Sequence, residues 1–116
     1  MNPSSTFEII DSDFQLASQF QTAGDFPRAR VSARMAAGKA AKFFINLKSP
    51  TPSSSINPYQ ALINLRTQHQ LPLHVVEAIN LLLQKVNPDY SFPRQNDFLQ
   101  AAQTIISYIK KEVFSE

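Results

Sequence analysis

The stretch FPRARVSARMAAGKAAKFFINL, from Phe26 to Leu47, constrains the fold more than any other part of the chain. Ala29, Ala33, Ala36 or Ala37, Ala40, Phe44 and Leu47 recur in it at intervals of three or four residues. That period places them on one face of a long helix. A face made of alanine carries little side chain, so it is buried only where neighbouring helices approach closely, before Phe43 and Phe44 fill the far end. Gly38 lies inside the same pattern, where glycine costs about 1 kcal/mol against alanine. Close packing of another helix at that position is the expected reason.

The flanking segments predict the helices that pack there. Ser5 with Glu8, and Ser12 with Gln15, have the spacing of capping boxes, so a first helix is expected to begin between them and to end at Gly24. Its buried stripe is Phe7, Ile10, Phe14, Ala17 and Phe20. Asp25 then caps the alanine-rich helix, with Pro27 in its first turn, where a missing N–H costs nothing. Residues 49–57, SPTPSSSIN, have no helical period and read as a loop. Asn57-Pro58 restarts a helix with Leu62 and Leu65 inward, and Pro72 opens a fourth carrying Leu73, Val76, Ile79 or Asn80, Leu83 and Val86. A second loop over 87–97 leads to Asn96 or Asp97 as the cap of a last helix with Phe98, Ala102, Ile105, Ile109 and Val113 inward. Lys110 and Lys111 stand near its C-terminus, where the helix dipole favours cations. The reading is an all-α antiparallel bundle of about five helices, in one domain spanning residues 1–116.

Composition removes several classes of function. With 116 residues, 43% hydrophobic and 17% charged, the chain is long enough and apolar enough to bury a core. It has no cysteine, which excludes a disulfide framework, a thiolate metal site and a cysteine nucleophile. The opening MNPSSTFEIIDSDFQ has neither a basic n-region nor an apolar run, and no window approaches a membrane span, so no membrane association and a cytoplasmic location are expected.

Charge is segregated along the chain. Residues 1–25 hold Glu8, Asp11, Asp13 and Asp25 without a base, whereas residues 26–76 hold Arg28, Arg30, Arg34, Lys39, Lys42, Lys48 and Arg66 without an acid. Two consequences are open: the acidic first helix pairs with the basic second one, or the basic face meets a polyanion. Arg30, Arg34 and Lys42 lie at multiples of four residues, one above another on the helix, as a solvated face or as a surface for nucleotide or RNA.

No catalytic cluster stands out. His69 and His74 flank Leu71-Pro72, and residues 66–76 contain no acid that could complete a metal site. They read most simply as surface histidines. Arg66 lies just before both, and an arginine beside a histidine has the chemistry to stabilise a phosphorane-like charge and move a proton in RNA cleavage. The loop serines have no neighbouring base and read as linker residues. Neither a metal nor a cofactor is implied.

In their order along the chain, these segments resemble the HEPN family, small helical domains named for nucleotide binding in higher eukaryotes and prokaryotes. Asp13 with Leu16-Ala17, then Gly24-Asp25-Phe26, then Ala37-Gly38-Lys39-Ala40-Ala41-Lys42, is similar to the family's acidic residue, Leu-Ala, Gly-Asp-hydrophobic turn and alanine-rich helix ending. NPYQALINL resembles the next helix opening, LPLHVVEAINLLL the helix after it, and YSFPRQND the Arg-Tyr-Pro-Asp loop before the last helix.

Departures from the family pattern shape what the resemblance implies. Its ribonucleases carry an arginine followed, after four to six residues, by a histidine. Ser91 stands where that arginine would be, Arg94 is displaced three residues onward, and no histidine follows. Arg66 precedes His69 by too little and His74 by slightly too much, Asn57 replaces the helix-opening histidine, and Gly38 replaces a glutamate. The resemblance therefore implies a non-catalytic member: a homodimeric module that works beside a minimal nucleotidyltransferase and helps to hold its substrate or nucleotide. Arg30, Arg34, Lys39, Lys42, Arg66, His69, His74 and Arg94 are the candidate anion- or partner-binding residues. An RNA-cleaving toxin with a degenerate site at Arg66, His69 or His74 is the alternative from the enzyme class, and a stand-alone scaffold the third reading. The alanine-rich face and the Phe/Tyr-containing second loop are the expected dimer contacts.

Overall fold

The computed structural model of the protein describes residues 3–48, 56–68, 70–83 and 97–114. They form five helices: α1 (Pro3–Thr22), α2 (Phe26–Lys48), α3 (Pro58–Gln68), α4 (Leu73–Leu83) and α5 (Asp97–Phe114). The architecture is an all-α bundle with α2 at its centre, in contact with each of the other four helices. α5 lies against α2, α1 touches both on one side, and α3 and α4 close the other. α1 and α2 run antiparallel, because Asp13 meets Lys39 while Phe20 meets Arg28 further along. No described helix is long and apolar enough to cross a membrane.

The α1–α2 corner follows from one glycine. Gly24 has φ of 82°, a left-handed conformation that glycine adopts without a Cβ penalty. Its amide donates to the Gln21 carbonyl at 3.1 Å and the Asp25 amide donates to the Phe20 carbonyl at 2.9 Å. These two bonds are the Schellman pattern that satisfies the last carbonyls of a helix. Asp25 then caps α2, accepting from the Arg28 amide at 3.4 Å. At α3, Asn57 Oδ1 accepts from the Gln60 amide at 2.7 Å, with Pro58 as the first helical residue.

α2 explains its own alanines. Ala29, Ala33, Ala36, Ala37, Ala40 and Ala41 are all fully buried in the cluster that joins residues of all five helices. Gly38 is buried too, and the reason is contact: a Cβ built there would lie 2.6 Å from the Pro58 carbonyl oxygen and 2.7 Å from its Cα. Phe43 and Phe44 do fill the far end, where Phe7 meets Phe43 edge-on at 5.9 Å and Phe44 meets Tyr108 at 6.4 Å.

Some expectations need correction. α1 starts at Pro3, so Ser5 and Ser12 sit inside it and neither caps it; proline suits an opening turn. Leu47 is more than half exposed, because the core at that end is already occupied by the phenylalanines. In α4 the inward residues are Val75, Ala78, Ile79 and Leu82, whereas Leu73 is 72% exposed. LHVVEAINLLL carries a polar stripe, His74, Glu77 and Asn80, all exposed, and the inward residues lie opposite it, so the expected Val76 and Leu83 are each one position off. Val86 and Asn96 lie outside the described residues, as do most of the two loops.

Candidate functional site

Arg30 and Arg34 were expected on a solvated or anion-binding face, and both turn inward instead. Arg30 is 6% exposed. Arg34 is half-buried; its Nε donates to the Leu82 carbonyl oxygen at 3.0 Å, and its guanidinium carbon stands 5.5 Å from the centre of the Tyr59 ring. Leu82 belongs to the last turn of α4, whose carbonyls have no partner within the helix and carry the negative end of its dipole. Arg34 thus ties α2 to the end of α4, while Tyr59 at the start of α3 covers its flat face.

Burial is the largest influence on both groups and holds each guanidinium below the ordinary arginine value. The like charge of Arg34 pushes Arg30 further in that direction, and Tyr59 acts against burial on both. Arginine nevertheless stays protonated at neutral pH.

Of the lysines, Lys39 pairs with Asp13 at 2.6 Å across the α1–α2 seam. Here the acidic first helix does meet the basic second one. Asp11, however, takes Lys110 of α5 at 3.3 Å, and Asp25 meets Arg28 at 3.4 Å, within the α2 N-terminus. Lys42 is half-buried and lines a groove between α1 and α2.

Of the Arg–His candidates, the two described ones, Arg66 and His74, lie in different grooves. Arg66 Nη1 donates to Asn80 Oδ1 at 2.7 Å, linking α3 to α4, and lines a groove with Glu77, Leu81 and Leu83. His74 is exposed in the first turn of α4 and lines a different groove, with Thr104, Ser107, Tyr108, Lys111 and Glu112 of α5. There the Tyr108 hydroxyl is pushed above its ordinary pKa, chiefly by burial and then by the charge and hydrogen bond of Glu112. His69, Ser91 and Arg94 lie outside the described residues. Among the described residues no three His, Cys, Asp or Glu side chains gather as a metal site requires.

Among the mostly polar outward residues of α1 and α2 stand several large apolar ones. Ile9, Leu16, Val31 and Met35 are 39% to 55% exposed. Ile9, Asp13 and Leu16 follow one another by four and three residues on α1, and Val31, Met35 and Lys39 by four on α2. The Asp13–Lys39 pair therefore sits in the middle of a shared apolar strip. No family model, no curated protein and no solved structure matches the chain. The placement of its own side chains is what bears on function.

The alanine face, expected as a dimer contact, is spent inside the bundle. The Phe/Tyr loop, the other expected contact, lies outside the described residues. The strip was missed because Ile9, Leu16, Val31 and Met35 fall off the core period. Large apolar residues left over once the core face has been assigned were the available signal.

Proposed function

We propose that this chain is a non-catalytic helical binding and assembly module, of the kind its resemblance to HEPN domains implies, and that it meets its partner through the outer face of α1 and α2. The observation that carries this is the exposure of Leu16, Val31 and Met35, with Ile9 at the edge, around the Asp13–Lys39 pair. Burying such a side chain completely is worth about 1.5–3 kcal/mol, and roughly half of each is still open, so covering the four adds about 3–6 kcal/mol. That is a useful core for an interface, though part of it offsets the cost of association.

The partner is a second copy of the chain or the nucleotidyltransferase that the resemblance implies. Holding nucleotide on α2 alone is the weaker form of the reading, because Arg30 and Arg34 are turned to internal contacts. Degenerate RNA cleavage finds no support in the Arg66–His74 pair, which lines two different grooves, and its other histidine, His69, lies outside the described residues.

The test is the mass in solution of the wild type and of Leu16→Glu/Met35→Glu, together with pull-downs of both and mass spectrometry of what they retain. A dimer or a retained nucleotidyltransferase that the variant loses, with its helix content unchanged, is the expected outcome. A wild type that is monomeric and retains no nucleotidyltransferase sinks the proposal, as does a variant that behaves like the wild type.

A further inference from the structure

The start of α1 and the end of α2 enclose a groove of about 450 Å³, lined by Thr6, Ile9, Ile10, Lys39, Lys42, Phe43 and Asn46. Its floor is built. Ile10 is fully buried, and Phe43 is held edge-on by Phe7, whose ring also carries the Lys110 ammonium at 5.6 Å. Ile9 forms an exposed wall. Among the described residues that line the groove, the charged groups are the ammoniums of Lys39 and Lys42, the first of them paired with Asp13 behind the rim. Lys39 is fixed in direction by Asp13 at 2.6 Å, so its position does not depend on an occupant.

Size and chemistry together select a ligand. Small-molecule sites commonly occupy about 300–1,000 Å³, mostly apolar, with a few polar groups at fixed points. An apolar floor beside a cationic rim suits a hydrocarbon chain ending in an anionic head. A nucleotide, with several charges and a polar sugar, would set much of its polar surface against Ile9, Ile10 and Phe43. A cationic amphiphile would bring like charge to Lys39 and Lys42. We propose that this groove binds a free single-chain amphiphile with one anionic head group, its chain against Ile9, Ile10 and Phe43 and its head at the Lys39–Lys42 rim. This goes beyond the assembly reading, whose strip shares Ile9 and Lys39 with the groove but is centred on Leu16, Val31 and Met35, and saturable decanoate binding can be read whether or not the chain associates.

Titration calorimetry of the full chain with decanoate, below its micelle concentration, tests the proposal against decylammonium as the opposite head group on the same chain. One decanoate per chain is expected, with decylammonium weaker by about tenfold or more. Ile9→Asp and Lys42→Glu should each weaken decanoate severalfold, and neither replaces a fully buried residue. Equal affinity for the two head groups overturns the proposal, as does unsaturable binding. That comparison uses only the wild type, so it decides even if a variant fails to fold. Flotation with anionic phospholipid vesicles separates the free amphiphile from a bilayer: co-flotation of the chain without stoichiometric decanoate binding also overturns it.

Discussion

Replacing Gly38 with alanine sets two known effects against each other. Alanine favours the helix over glycine by about 1 kcal/mol, so at an open position the change would stabilise α2. Gly38 is not open. The added Cβ would stand 2.6 Å from the Pro58 carbonyl oxygen and 2.7 Å from its Cα, against an ordinary contact of about 3.5–4.0 Å. These are backbone atoms, and no side-chain rotation moves them. Relief requires α3 to shift by about 1 Å, away from a core in which Leu62 and Leu65 are fully buried.

Overpacking of this kind costs about 1–3 kcal/mol, and disturbing the Asn57 cap, whose bond to the Gln60 amide is 2.7 Å, adds up to about 1 kcal/mol. After subtracting the helix gain, these terms centre on a loss of about 1.5 kcal/mol for Gly38→Ala. For a domain of this size that is a fall in Tm of several degrees. Urea unfolding followed by circular dichroism reads it directly, with Ser12→Ala, at an exposed site of α1, as the neutral or stabilising control. If Gly38→Ala is as stable as the wild type, α2 and α3 are not held at this separation and the packing argument is wrong.

Three further outcomes are expected. Arg34→Met should cost about 1–2 kcal/mol in urea unfolding, because the Leu82 carbonyl loses its charged donor, and Arg34→Lys should recover little of it, lacking the planar fork that lies on Tyr59. A double-mutant cycle with Asp13→Asn and Lys39→Met should give a coupling of about 0.5–1 kcal/mol that shrinks with added salt, since both side chains remain partly exposed. Tyr108 has its pKa raised in the folded chain, so as pH rises past about 10 the unfolded chain gives up this proton first and the associated stability, present below, is lost. Unfolding midpoints at about pH 9 and about pH 11 should therefore fall less in Tyr108→Phe than in the wild type; equal falls would exclude this source.

The parts of the fold legible from sequence were those in which one physical rule acted alone. The Gly24-Asp25 corner was readable because a helix stop and a helix cap were adjacent, and both are made with backbone bonds within a few residues. Gly38 was readable because its cost in a helix demanded a compensation, which proved to be Pro58. α4 was assigned one position off although its sequence carried the register: His74, Glu77 and Asn80 recur every three residues and are all exposed, which places Val75, Ala78, Ile79 and Leu82 on the opposite face. The pairing of Asp13 with Lys39 stood as one of two alternatives, and only the antiparallel offset of α1 and α2 selects that partner for Asp13 and Lys110 for Asp11.

The placement of Arg30 and Arg34 was misread because charge was taken to face water. A run of bases without acids looks like a surface for anions if charge is assumed to face water. Arginine does not have to, because a long apolar stem and a flat, weakly hydrated head let it remain buried while its donors reach backbone carbonyls. Arg34 finds such a carbonyl at the end of α4, where the helix itself supplies negative charge in place of an acid. An excess of bases over residues 26–76 is then compatible with a structural use of its arginines, and the missing acids do not imply a missing polyanion. The outward face must be read from what those arginines leave behind, and on α1 and α2 they leave Leu16, Val31 and Met35 open to solvent beside an ion pair. Such a strip gains more by meeting another apolar surface than by meeting phosphate, which is why assembly is the stronger reading of this bundle.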